Sequence, residues 1–450
     1  MRTDKTILGA HLLGIGLCVL AAAPGRSAEE PSSEVLQMIV DLVKEQDRDM
    51  RALAYEQIRD EARGEAATKK FASLLTEVPA EVQAELLKAL GERGDAAARP
   101  AVLEMLNSKD EPVRAAAIGA LEILGTAAEV PLLAEKAATG PQSERVAARH
   151  ALEHLRGAGI NQALVALLDK ANPAVQAEVL GALGGRSARE TVPKVLQSAK
   201  AEDRSVRLAA LRAMRVLAEA KDTAAVAGLV RSAADPQERA VAELALLALC
   251  SRGREACVEA LCAAMADASP DAQVTLVRAV ARAGGERALQ AIAEQVAKGR
   301  DPVRLEAVRM LSSWPQANAI PQLLSLAEKA TSQRDKVLAL RGLVRLASPQ
   351  EDRPADVALL AKVMNWADRP EEKRLVLGAL GTAATAEAFS LAAAALAEPN
   401  VAEEASLAVV AIAEKMPGAD KGPLRAAMEK VLQTSKDEEL RARAKRLLGP

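Results

Sequence analysis

Apolar side chains recur in this chain at fixed offsets inside a repeated frame. "DEPVRAAAIGALEIL" (Asp110–Leu124) returns as "DRSVRLAALRAMRVL" (Asp203–Leu217) and as "DPQERAVAELALLAL" (Asp235–Leu249). Taking the arginine of "VR" as position zero, the frame places that position on Arg51, Gln83, Arg114, Arg145, Gln176, Arg207, Arg239, Gln273, Arg304, Lys336, Lys373, Ala402 and Arg441. Thirteen units follow one another at a mean step of about 32.5 residues, regular at first and looser after Lys336. Positions three and seven after zero are apolar in every unit, from Ala54 and Ile58 to Ala444 and Leu448. Offsets of 3, 7 and often 10 trace one stripe of an amphipathic helix.

The polar positions mark where these helices start. Four residues before zero stand Asp47, Asp110, Asn172, Asp203, Asp235, Ser269, Ser332 and Asp437, all residue types that cap helices. Pro173, Pro236 and Pro270 follow such caps directly, at the first helical position, where a missing N–H costs nothing. A second, shorter apolar run, such as "PAVLEML" from Pro100, lies between successive zero helices, set off by glycine turns such as "GERGD". Each unit therefore reads as two antiparallel helices, and neither buries its apolar face until units stack. The predicted fold is all-α, an α-solenoid of about thirteen helix pairs forming one array over residues 32–450.

Composition strengthens this reading. Half the residues are apolar but only 1 % are aromatic, and a core of Ala, Leu and Val favours helices that approach closely. Fifty-nine basic residues balance sixty-one acidic ones, so no global charge pulls the chain toward nucleic acid or membrane.

The N-terminus stands apart. Arg2 and Lys5 precede an apolar run, Ile7 to Ala23, followed by "PGRSAEE". A basic start, a short apolar run and small residues predict a signal peptide over 1–28, with cleavage within 23–28. The chain is therefore expected to be exported, periplasmic or secreted. At 17 residues, interrupted by Gly9, His11, Gly14 and Gly16, the run is poor as a permanent span, and no later segment predicts one.

Asp-x-x-Val-Arg-x-x-Ala-x-x-Ala-Leu at a 31-residue step resembles the HEAT-like repeats of phycobilisome-lyase-type proteins. That resemblance covers essentially all of the mature chain. It implies a right-handed solenoid whose second helices line a concave face, and it gives the repeated Arg and Asp the role of an inter-repeat ladder. Gln83, Gln176 and Ala402 interrupt that ladder.

Candidate chemistry is sparse. "HALEH", His150–His154, has the order of the inverted zinc-protease motif and holds both histidines of the mature chain. In the repeat frame Ala151 and Leu152 are its ordinary core pair. At 100° per residue the histidines lie at about 140° and 180°, against a core stripe near 290°. Glu153 lies elsewhere, at about 80°, and a zinc protease needs a third ligand and a glutamate aimed at the metal. The pair reads as a surface feature, with no metal, cofactor or catalytic residue assigned. No glycine-rich phosphate loop, Gly-x-Ser-x-Gly or His-Glu dipeptide is present. Three cysteines fall in "LCSRGREACVEALC"; Cys250 and Cys257 flank a short turn and are the expected disulfide in an oxidising compartment, with Cys250–Cys262 competing.

The slots five and nine residues after zero are the ones the histidines fill. They hold Arg278 and Arg282 in unit eight and Arg341 and Arg345 in unit ten; the first slot alone is Arg212 in unit six and Arg309 in unit nine. Unit one has Glu56 and Asp60 there. These six arginines predict a basic stripe suited to an acidic protein segment; nucleic acid is disfavoured, since no aromatics are interleaved for base stacking. The leading expectation is an exported, non-enzymatic scaffold for a protein or peptide partner, with no small-molecule substrate. The rival is a lyase- or metal-oxidoreductase-type enzyme or maturation factor on the same repeat.

Overall fold

The computed structural model describes residues 31–351, 353–416 and 421–449. The predicted signal peptide lies outside them. Twenty-six α-helices, with short 3-10 turns and one π turn between some of them, make up the described residues, and the only β feature there is an isolated bridge between Gln350 and Arg353. The class is all-α, as the periodicity predicts.

All thirteen zero positions fall on alternate helices: Arg48–Glu56, Ala80–Arg93, Glu111–Leu124, Gln142–His154, Pro173–Gly185, Arg204–Leu217, Pro236–Gly253, Pro270–Ala283, Val303–Ser312, Gln333–Ala347, Pro370–Leu380, Ala402–Glu414 and Glu438–Leu448. The intervening helices are the first members of each pair. Every residue three after zero is fully buried, and so is every residue seven after zero except the half-buried Leu448 of the last helix. Each Leu or Ile placed this way contributes about 1.5–3 kcal/mol of burial, repeated pair after pair.

Helix starts follow the predicted chemistry. Side chains of Asp47, Asn172, Asp203, Asp235, Ser269 and Asp437 accept hydrogen bonds from first-turn backbone N–H groups. Asp110 and Ser332 stand at their N-caps without that bond. Small residues set the spacing between second helices. A Cβ added to Gly91 would sit 2.9 Å from the Ala120 Cα of the next second helix, so the two backbones pass in near contact.

The chain divides into two compact units, one ending at Leu164 and the other beginning at Val165. In the first, the second helices Ala80–Arg93, Glu111–Leu124 and Gln142–His154 pack in succession; in the second, Pro173–Gly185 packs on Arg204–Leu217 and the series continues to Glu438–Leu448. Within each unit the helices pack in successive pairs, the α-solenoid arrangement. No helix among the described residues is long and apolar enough to cross a membrane.

Candidate interaction surface

The residue at position zero ties neighbouring pairs together. Arg114 Nη1 donates to the Ser108 and Lys109 carbonyls, both at 2.9 Å, and its Nε donates to Glu144 of the next pair at 2.6 Å. Arg207 repeats this with the Ala201 and Glu202 carbonyls and with Glu238, 2.6 Å from Nη2. Arg304 reaches Asp335 at 2.7 Å. The ladder acids Glu144, Glu238 and Asp335 are buried and sit one residue before the next zero. The Asp expected to form the ladder, four before zero, instead stands at the N-cap of its own helix, with a capping bond at all but Asp110; among the described residues only Asp235 also meets a neighbour's arginine, Arg204, at 3.3 Å. Glutamine at zero bonds a carbonyl further back, in place of the arginine's, and loses the ionic bond. Gln83, Gln176 and Gln273 each donate to the carbonyl eight residues earlier, at 2.8, 2.9 and 2.9 Å. The amide has no charge for a ladder acid, so the predicted interruptions at Gln83 and Gln176 are breaks in the ionic part alone.

Burial disfavours the ionised form of Glu144, but its bonds to Lys136 and Arg114 outweigh that and hold its carboxyl below the ordinary range. Openings of about 490 and 430 Å³ flank Arg207 and Arg304. Arg207 and Arg304 already face Glu238 and Asp335, so the charges of these two lining arginines are committed within the fold.

The six arginines of the predicted stripe divide into two groups. Arg278 lies between Glu243 at 3.1 Å and Glu306 at 2.7 Å, and the Glu306 bond, outweighing burial, raises its pKa. Arg309 meets the same Glu306 at 3.2 Å, and Arg341 meets the buried Glu372 at 3.4 Å. Arg345 donates to the Ser312 and Trp314 carbonyls at 3.3 and 2.5 Å, and burial lowers its pKa. Arg212 and Arg282 are exposed, and neither has an ion pair or side-chain hydrogen bond among the described residues. Leu244, which occupies the corresponding first slot on the helix between theirs, is 54 % exposed, and Val216 beside Arg212 is 42 % exposed. A mixed patch of Arg212, Val216, Leu244 and Arg282 replaces the continuous basic stripe.

His150 and His154 are both exposed, as their helix angles require. The pattern of a single unit does not reveal their neighbour: Glu122, eight residues after zero in the preceding pair, places its carboxylate 2.9 Å from His150 Nδ1. Stacking adjacent units in register would have found it. Cys250, Cys257 and Cys262 are free thiols in this structure, without the expected disulfide. Cys250 and Cys257 are buried side by side, and burial, reinforced by Cys257, pushes the Cys250 thiol up. Cys262 is half-buried on the next helix, near Arg287 and Glu294, so the competing Cys250–Cys262 pair is not brought together.

Residues 68–153 and 161–250 match the family model for HEAT repeats. The phycobilisome-lyase type of repeat is not what the match specifies. No curated protein matches the sequence. Among solved structures the chain is similar to Kap121p bound to Pho4p, at 12 % identity over 93 % of this chain and 54 % of that one, with a TM-score of 0.48. It is likewise similar to Kap121p bound to Nup53p, at 12 % identity over 92 % and 53 %, TM-score 0.49, and to Kap121p bound to RanGTP, at 14 % over 92 % and 56 %, TM-score 0.46. The chain spans about half the length of these karyopherin structures.

Proposed function

We propose that this HEAT-repeat protein is an exported, non-enzymatic scaffold that holds an acidic segment of a protein or peptide partner on its second helices. The observation that carries this reading is the patch on Arg204–Leu217, Pro236–Gly253 and Pro270–Ala283. Two exposed arginines without internal partners among the described residues flank exposed Leu244, beside Val216, whereas Arg278, the other arginine at these slots on the three helices, is engaged by neighbouring pairs. Guanidinium forks match carboxylates, and exposed aliphatic side chains between them suit the apolar residues of an acidic peptide. Export rests on the basic, apolar and small-residue order of the first 28 residues.

The test compares wild type with Arg212→Glu/Arg282→Glu. A fluorescent peptide alternating Glu and Leu is titrated by anisotropy, and partners are recovered from the cell envelope with both proteins. Reversal should abolish peptide binding and partner recovery with melting unchanged, and wild-type binding should weaken with salt. Equal binding by the reversed protein overturns the proposal. Arg278, Arg341 and Arg345 are unsuited to this test, because reversing them would place a carboxylate against Glu243, Glu306 or Glu372, or against backbone carbonyls.

A further inference from the structure

The histidine pair forms a site that the scaffold reading leaves unused. Four residues apart on Gln142–His154, the two imidazoles occupy one helix face, and their rings stack with centroids 4.3 Å apart at 26°. Glu122 of Glu111–Leu124, the preceding second helix, lies 2.9 Å from His150 Nδ1. His154 Nδ1 is 2.9 Å from the His150 carbonyl. A carboxylate and a carbonyl can only accept, so each bond assigns the ring proton to Nδ1 and leaves the Nε2 lone pair free.

We propose that His150 and His154 bind one divalent transition-metal ion of the zinc, nickel and copper class through their Nε2 atoms, with Glu122 as the outer carboxylate that orients His150. One ligand atom from each residue lies within 4.8 Å of the other two, and no other group of three His, Cys, Asp or Glu meets that condition among the described residues. A tetrahedral ion with bonds of 2.0–2.1 Å holds its ligand atoms about 3.4 Å apart. Side-chain torsions close the remaining distance, because the His150 side chain is 60 % exposed and packs in no core. A His pair spaced i, i+4 is a metal-binding arrangement in its own right. Glu122 has the geometry that fixes a ligating histidine's tautomer and raises its basicity. The helix ends at His154, where the negative end of its dipole favours a cation. Two imidazole nitrogens select zinc, nickel or copper over magnesium or calcium, which take oxygen shells. The remaining coordination positions face solvent and take water or a side chain from a partner.

The experiment titrates untagged, chelator-treated full chain with Zn(II) by calorimetry and follows Cu(II) binding by electron paramagnetic resonance. Wild type should bind one ion per chain, with nitrogen coupling in the copper spectrum. His150→Ala and His154→Ala should each weaken binding strongly, and the double variant should lose it. Glu122→Gln should weaken it by about 10- to 100-fold. Helicity and melting of the metal-free proteins should be nearly unchanged, since both histidines are exposed and Glu122 is only half-buried. The assignment is overturned if wild type shows no one-to-one binding up to about 1 mM ion, or if His150→Ala/His154→Ala binds as wild type does. Undiminished affinity in Glu122→Gln removes Glu122 from the site.

Discussion

Replacing Glu144 tests whether the inter-pair ladder stabilises the array. Its side chain is 1 % exposed and carries two charge-assisted bonds, from Arg114 Nε at 2.6 Å and Lys136 Nζ at 2.9 Å. Removing one member of a fully buried ion pair costs about 3–5 kcal/mol, because the other charge is left without a partner. Here the stranded groups are partly wet: the Arg114 side chain is 20 % exposed and that of Lys136 is 30 % exposed. Water reaches both, so the expected cost of Glu144→Ala is nearer 2–3 kcal/mol, and that of Glu144→Gln, which keeps an acceptor and the shape, about 1–2 kcal/mol. A long repeat array need not unfold in one step, so the assay is hydrogen exchange resolved to residues 111–154. Opening there should increase by about 30- to 150-fold in Glu144→Ala, while exchange in residues 204–283 stays unchanged. The folded-state pKa of Glu144 lies below its ordinary value of 4.5. Its contribution is therefore complete above that value and lost as pH falls through the lower, folded-state pKa. Wild type should lose protection of this segment on acidification by more than Glu144→Gln does. A Glu144→Ala protein with protection within threefold of wild type would refute the ladder as a stabilising element.

Three further outcomes are expected. Gly91→Ala should lower thermal stability by about 1–3 kcal/mol, since its Cβ meets the Ala120 backbone; Gly119→Ala on the next second helix has nothing within 4 Å and should stabilise by about 0.5–1 kcal/mol. Mild oxidation should join Cys250 to Cys257 and leave Cys262 alkylatable, read by non-reducing peptide mapping; a Cys250–Cys262 peptide would contradict the observed placement. N-terminal sequencing of exported protein should begin between Pro24 and Glu29, and intact Met1 in soluble cytoplasm would sink the export proposal.

Features confined to one helix were legible in the sequence. The stripe at three and seven after zero needs only helical periodicity, and its repetition removes ambiguity, so Ala54, Leu86 and Val179 could be placed in the core from the pattern alone. The caps at Asp47, Asp203 and Ser269 are equally local. Relations between helices were less legible. Assigning the ladder to the repeated Asp failed because an Asp four before zero is better placed to bond its own first-turn N–H groups than to cross to a neighbour. The acid that does cross, Glu144 or Glu238, stands three residues later and looks like an ordinary first-turn carboxylate when one unit is read alone.

The arginine stripe went the same way, and the reason is a rule that two units read together make visible. An arginine five after zero reaches toward the start of the next second helix. Arg278 finds Glu306, two after the next zero, and Arg341 finds Glu372, one before it. For Arg212 the corresponding positions are Val241 and Glu238, and Glu238 is already held by Arg207 at 2.6 Å with Arg204 nearby at 3.9 Å. For Arg282, nine after zero, the same displacement gives Met310 and Ala307 in the next unit, and neither is an acid. Arg309 and Arg345, which face no uncommitted carboxylate in the next unit either, bond instead to Glu306 of the same helix and to the Ser312 and Trp314 carbonyls; Arg212 and Arg282 have neither recourse. Placing an uncommitted carboxylate in the next unit provides a sharper test of the patch than charge reversal: Val241→Glu should pair with Arg212, leave the fold intact and weaken acidic-peptide binding without touching either arginine. Unchanged binding in that variant would mean that Arg212 contacts no ligand.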